Sequence, residues 1–508
     1  MISQANAATL VGIDALPVVV EVDLRPPVSD SGSNFLMVGL PDKAVEESRV
    51  RVRSAVKNSE LVFPNNKVIC NLAPGDIRKE GPAMDLSIAA AILACDNQIP
   101  REELEGTVIL GELGLDGAVR PIDGAVSVAL MCRAKGFRRL ILPKPNAAEA
   151  AVAPGVEVFG IEWLTQMMEL LNGSSDYKPV EFIETSLESL PEYGIDFSDV
   201  KGQRQAVRAL EIAAAGGHNV LMTGPPGSGK TMLARRVPTI LPQLSLDESI
   251  EVTRIYSASG QKGGRQGLIW ERPFRSPHHS ASHAAIVGGG KNPKPGEVSM
   301  AHKGVLFLDE MPEFDRQVLE ALRQPLEDNV VTVSRVQASI TFPAECILIG
   351  AMNPCPCGFK GLPEQKCISS PTQCGRYASK ISGPLLDRID LHINVPRLKP
   401  EELLGAPTGE CSEAIRDRVI AARMKQSERL GKDRLNSKMA PREIRERLIL
   451  SDECTEFMRL VMTRMNISAR VFDRILKVGR TIADLANEPE ITKTHLSEAV
   501  QYRQSAEL

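Results

Sequence analysis

At 508 residues the chain exceeds what one hydrophobic core usually organises, so several domains are expected. Hydrophobic residues at 43% and charged residues at 24% are the proportions of a soluble globular protein, and a formal net charge of -4 excludes a surface that is basic throughout. Any nucleic-acid contact must therefore use a local basic patch, such as a ring pore, and an aromatic content of 4% excludes binding by stacking many bases.

In chain order, the segment to residue 173 mixes an alternating, strand-like stretch at 18–24 with an Ala-rich helical stretch at 86–95. Its start lacks the basic run, apolar stretch and small-residue cleavage site of a signal peptide. No apolar run is long enough to span a bilayer. Ten Cys without an export signal point to free thiols or metal ligands rather than disulfides, and a cytoplasmic location is expected. Residues 174–195, polar and then acidic, read as a linker. From 196 to 396, helices alternate with short apolar runs at 220–222, 305–308 and 347–351, the pattern of buried parallel strands in an α/β domain. Residues 397–508 are charged and helix-periodic, and read as an all-helical lid.

Gly224, Pro225, Pro226, Gly227, Ser228, Gly229, Lys230 and Thr231 match G-x-x-x-x-G-K-S/T, between an apolar strand and a helical segment. The glycines let backbone N–H groups face phosphates, and the helix N-terminus adds favourable partial charge. Lys230 is expected to reach the β- and γ-phosphates of ATP, and Thr231 to ligate Mg²⁺. The partner motif is the apolar run 305–308 ending in Asp309 and Glu310, at the sheet edge where α/β folds bind ligands. Asp309 is expected to hold Mg²⁺ and Glu310 to polarise the attacking water.

With these motifs in place the chain resembles the AAA+ ATPases. Residues 196–203 look like that family's segment beside the adenine, and Asn353 like its sensor 1. Arg388, in Leu385-Leu386-Asp387-Arg388, resembles the arginine finger, and Arg470, in Ile467-Ser468-Ala469-Arg470, resembles sensor 2. Residues 272–279, 288–297 and 311–314 are together similar to the ComM/YifB family of magnesium-chelatase-like AAA+ proteins, a resemblance spanning essentially the whole chain. It implies a hexameric ring helicase that drives branch migration on DNA.

Residues 287–299, Gly/Pro-rich with Lys291 and Lys294, form a long basic loop inside the ATPase domain, where such loops are usually functional. In related rings a similar insert projects into the pore. A second hairpin is expected at 330–343 with Arg335 near its turn. Two basic loops of this kind can grip phosphates without reading sequence; the plain alternative is two solvated surface loops. His278 and His279 are expected on opposite faces of a strand, hydrogen-bonded within the fold.

Residues 72–83 and 111–122 resemble the proteolytic domain of Lon, which makes residues 1–173 a Lon-protease-like α+β domain. Ala83 stands where that resemblance places a nucleophilic Ser, and Val126 where it places a catalytic Lys. Neither side chain can attack a carbonyl or take a proton, so the domain is expected to be proteolytically dead and to serve ring assembly, DNA contact or scaffolding.

Cys355, Cys357, Cys367 and Cys374 form C-x-C-x₉-C-x₆-C in an insert at 353–380. Four thiolates in one short Gly/Pro-rich insert can bind Zn²⁺ tetrahedrally, or remain free thiols. Relatives carry a second C-x-C here; this chain has Ser369 in the last position, leaving Cys374 as the substitute.

The leading function is an ATP-driven motor on branched or single-stranded DNA, with no membrane contact. The rivals are a magnesium-chelatase-type ATPase subunit and an AAA+ remodeller of proteins.

Overall fold

The computed structural model describes residues 2–26, 34–174, 176–182, 193–261, 267–290, 293–334, 339–360, 366–398, 401, 409–465 and 467–504. It divides into two compact units, Met1–Ser189 with Leu246–Ile269, and Leu190–Ser245 with Trp270–Leu508.

In the N-terminal unit, alternation sets the main strand. Val18, Val20 and Val22 of Asp14–Arg25 are fully buried, while Val19 and Glu21 between them are less so. This strand pairs antiparallel with Ile2–Val11, and a seven-stranded mixed sheet grows around the hairpin. The helix Asp85–Cys95 is buried at all eleven positions, as its run of Ala, Ile and Leu requires. The two Lon-like segments meet, because the Gly111 N–H donates to the Ala83 carbonyl at 2.7 Å. Val126 is fully buried on the helix Ala125–Lys135.

One boundary differs from the sequence reading. Leu246–Ile269, expected inside a continuous ATPase domain over 196–396, belongs to the N-terminal unit. Its helix Leu246–Ser259 is anchored there by Gly124 N–H to Ser257 Oγ at 2.9 Å and by Arg254 to Asp14 at 2.5 Å. Among the described residues of 397–508, expected as a helical lid, Ile415, Ile482 and Leu496 belong to the same apolar cluster as Val220, Ile349 and Leu391 of the sheet. The reason is compositional, since charged amphipathic helices need a partner for their apolar stripe. Among the described residues this region is helical, as expected, from Ser412–Leu430 to Lys493–Gln504.

The second unit is built on a five-stranded parallel sheet. Its order is Phe274–Arg275, Val305–Leu308, Ile347–Met352, Val220–Thr223, Leu391–Asn394. The strand ending in Asp309 thus lies one strand away from the strand feeding the Gly-rich loop. The strand between them ends beside Asn353, which brings all three ends to one edge.

Beneath that edge lies a buried polar network. His218 Nδ1 is 3.3 Å from Asp390 Oδ2, and its Nε2 is 2.8 Å from Thr481 Oγ1. Arg474 pairs with Asp390 and also donates to the Arg388 carbonyl at 3.1 Å. Asn219 donates to that same carbonyl at 3.2 Å and accepts from Leu348 N–H at 2.9 Å. Helix Ala469–Leu485 is thereby tied to the base of the sheet.

Candidate active site

The Gly-rich loop leaves Val220–Thr223 and enters the helix Lys230–Ile240. Gly224 is required by space, since a Cβ there would lie 2.2 Å from the Val395 carbonyl oxygen. Lys230 is buried, and its ammonium donates to the carbonyls of Gly224 at 2.7 Å and Pro225 at 3.0 Å. Burial pulls the Lys230 pKa down, opposed by the charges of Asp309 and Glu310. Asn353 Oδ1 is 3.4 Å from the same ammonium.

Thr231 Oγ1 donates to Asp309 Oδ2 at 2.7 Å. A hydroxyl and a carboxylate side by side are the hard oxygen donors that suit Mg²⁺. Glu310 follows in the left-handed region, at φ 50, with its side chain exposed. A non-glycine residue held there carries backbone strain, a feature concentrated at functional sites. Gln203, in the expected adenine-side segment, spans from the Ser228 carbonyl at 3.3 Å to that of Pro396 at 2.7 Å.

The sequence-predicted residues thus divide. Lys230, Thr231, Asp309 and Asn353 converge, with Glu310 next in the chain. Arg388 turns elsewhere: it pairs with Glu327 and donates to the Pro384 carbonyl at 2.8 Å. Its hydrogen bond holds the Glu327 carboxyl below the ordinary range, and the charge of Arg470, exposed on helix Ala469–Leu485, acts in the same direction.

His279 was missed as a site residue. The expected strand ends at Arg275, so the alternation rule does not reach the two histidines. Their rings lie against each other, 4.1 Å between centroids, and His279 Nδ1 is 3.7 Å from Glu310 Oε2. His278 hydrogen-bonds within the fold, to Ser280 Oγ at 2.8 Å. The signal available for His279 was its place a few residues after the strand Phe274–Arg275, which pairs with the strand leading to Asp309 and Glu310.

Of the basic loop residues, Lys291 and Arg335 lie outside the described residues. Lys294 is exposed, in a small hairpin of Gly288–Gly289 with Lys294–Pro295. The expected second hairpin is present, Val330–Ser334 against Ser339–Pro343. The two hairpins touch: Val333 Cγ2 lies 3.6 Å from where a Cβ on Gly288 would sit.

The four insert cysteines also converge. Sγ–Sγ distances are 3.2 Å for Cys355 to Cys357, 3.5 Å for Cys357 to Cys367, 3.7 Å for Cys355 to Cys367, and 3.8 Å for Cys367 to Cys374. Cys355, Cys367 and Cys374 all lie within 4.8 Å of one another, and Cys357 joins them through Cys355 and Cys367. Ser369 does not leave the cluster. Hydrogen bonds from the Phe359 N–H, and then from the Ser369 hydroxyl, hold the Cys357 thiol down to about 5.

Among the described residues no helix is long and apolar enough to cross a membrane. The family described as magnesium chelatase, subunit ChlI, matches residues 196–403, its C-terminal part matches 409–503, and the companion description, subunit ChlI of Mg-chelatase, matches 20–146. The chain is 42% identical over 511 residues to protein YifB of Escherichia coli K12, covering 99% of this chain and 97% of that one. It is 42% identical over 497 residues to competence protein ComM of Haemophilus influenzae, covering 97% and 95%. Partial likeness extends to DNA repair protein RadA of Halalkalibacterium halodurans, 28% over 160 residues, covering 31% of this chain and 33% of that one. Lon protease 2 of Thermus thermophilus matches at 29% over 164 residues, covering 30% of this chain and 20% of that one. A phosphate loop, an acidic strand end and an Asn-tipped strand at one sheet edge, joined to identity along nearly the whole chain, make this protein a member of the YifB/ComM family of magnesium-chelatase-like AAA+ ATPases.

Proposed function

We propose that the protein is a ring motor, a hexamer by family likeness, that uses ATP hydrolysis to move on branched or single-stranded DNA. The observation that carries this reading is the pair of touching hairpins, 288–295 and 330–343, inserted into the ATPase unit. Lys294 is exposed on the first hairpin, and the sequence puts Lys291 and Arg335 in the same two segments, on a chain of net charge -4; basic side chains of this kind suit gripping phosphates without reading bases. Two relatives, ComM named for competence and RadA for DNA repair, support the same direction.

In this reading Lys230 would face the β- and γ-phosphates of ATP, and Thr231 and Asp309 would hold Mg²⁺, which would supply positive charge to the phosphoryl group. Glu310 would polarise the attacking water, Asn353 would help orient it, and Arg470 would contact the nucleotide from the helical lid. Arg388 completes the site of the neighbouring subunit, since within its own chain it turns to Glu327. Cys355, Cys357, Cys367 and Cys374 would hold the second metal expected, Zn²⁺.

The match to magnesium chelatase subunit ChlI favours a second reading, an ATPase subunit of a metal-inserting complex. ATP turnover measured without DNA, with single strands, with forks and with four-way junctions separates the two. Stimulation by DNA is expected. Stimulation only by a porphyrin and a partner subunit would replace the motor reading with the second one.

A further inference from the structure

The four thiols sit in a particular place. The insert leaves the sheet at Asn353, directly after the strand Ile347–Met352, and returns through the helix Pro371–Ala378, which carries Cys374. That helix also carries Tyr377, whose buried hydroxyl takes a hydrogen bond from the Asn353 backbone. Between the first two cysteines and the rest, Gly358 lies flat on the phosphate loop. A Cβ on Gly358 would meet Pro226 Cδ at 2.5 Å and Cγ at 2.8 Å, and its φ of +81 suits glycine alone. The insert therefore touches two parts of the nucleotide site, the loop at Pro226 and the backbone of Asn353, whose Oδ1 faces Lys230.

The sulfur geometry fits a metal. Four thiolates around zinc at about 2.3 Å stand about 3.8 Å apart; Cys355, Cys367 and Cys374 form a set all within 4.8 Å of one another, with pairs at 3.7 and 3.8 Å, and Cys357 adjoins it at 3.2 Å from Cys355 and 3.5 Å from Cys367. None is near the ~2.0 Å of a disulfide, and all four cysteines are free. A donor already faces the sulfurs: the Lys360 N–H reaches Cys355 Sγ at 3.3 Å. Such outer donors are what holds a thiolate set in place.

We infer that Cys355, Cys357, Cys367 and Cys374 bind one Zn²⁺ ion, and that the metal-bound loop is a brace that holds Pro226 of the phosphate loop and Asn353 in register for hydrolysis. Binding converts the thiols to thiolates and releases their protons to solvent; no oxidant or reductant takes part. The brace rests on the reading that the adjoining site hydrolyses ATP, whereas the zinc site does not.

The test uses the full-length protein. Metal per chain is read by mass spectrometry, and zinc released by a mercurial is read with a colorimetric chelator. One zinc per chain is expected, with none released before thiol modification. Cys374→Ser is expected to lose most of the zinc and to lower ATP turnover about tenfold or more. Gly358→Ala keeps all four thiols; it is expected to keep its zinc and still to lose turnover to a similar degree, because the added methyl displaces Pro226. Wild-type protein that carries no zinc and takes up none from solution, or that carries iron instead, overturns the site. Zinc-free protein, or Gly358→Ala, turning over ATP at the wild-type rate overturns the brace. A zinc-loaded wild-type chain with no ATPase activity overturns the hydrolysis reading and with it the brace, while leaving the site standing.

Discussion

Nδ1 of His279 lies 3.7 Å from Oε2 of Glu310, on a ring packed edge-on to Phe314. Glu310 is exposed and its backbone is strained, so little else among the described residues fixes its carboxylate. If His279 positions that group, His279→Ala should bind ATP normally and turn it over about tenfold more slowly. His279→Asn, which keeps a polar hydrogen-bonding group, should recover part of the loss. Equal turnover in wild type and His279→Ala would remove the histidine from the account.

Arg388 and Glu327 pair within one chain, and Arg388 Nε is buried without a hydrogen-bond partner among the described residues. A finger acting on a neighbour's ATP must leave Glu327 to do so. Arg388→Ala should then bind ATP but hydrolyse it poorly, since such a finger is worth ~10³–10⁵ in rate in GTPases. Mixing it with Lys230→Ala subunits should restore some turnover, because mixed interfaces pair an intact loop with an intact finger. Co-assembled mixtures that stay inactive would argue against a shared site.

How much of this was legible in the sequence follows from what each signal measures. The phosphate loop and the strand ending in Asp309-Glu310 were readable because local spacing alone defines them. The strands at 220, 305 and 347 were readable as short apolar runs. His279 was not, because the two-residue period was extended past the end of a two-residue strand. Glu327 was not, because it meets Arg388 across 61 residues with no local pattern to announce it. The segment 246–269 was misplaced for the same reason: its attachment to Gly124 and Asp14 is long-range.

The buried network beside Arg388 makes stability depend on pH. Burial, then the charge of Arg503, pushes the His392 imidazole down to about 4, so it folds neutral. The unfolded chain takes up that proton first, so this contribution is present above about 6.5 and is lost as pH falls from there to about 4. Its size is on the order of 3 kcal/mol at most. Burial alone would raise Asp390, but Arg474, with the His218 hydrogen bond, outweighs it and holds the carboxyl well below its ordinary range. That contribution is present above the unfolded value of about 3.9 and lost below it. The urea midpoint should therefore fall below pH 6.5 and fall again below pH 4. His392→Asn should flatten the first limb, and an unchanged slope would contradict the assignment.

Lys294 is exposed on its hairpin, three residues on from Lys291 in the chain. Replacing both by Ala should weaken DNA binding for all sequences alike. The slope of affinity against salt should also become shallower, by about one unit for each phosphate that is no longer neutralised. An unchanged slope would take these lysines out of the DNA interface.

The central claim is that ATP turnover at Lys230 and Glu310 moves DNA. The direct measurement is separation of a fluorescently labelled four-way junction by wild-type protein and by Glu310→Gln, each with ATP and Mg²⁺. Wild-type protein is expected to convert the junction to duplex products, and Glu310→Gln to bind nucleotide and junction but leave the junction intact. Wild-type protein that hydrolyses ATP at a rate indifferent to the junction, and leaves it whole, would contradict the account.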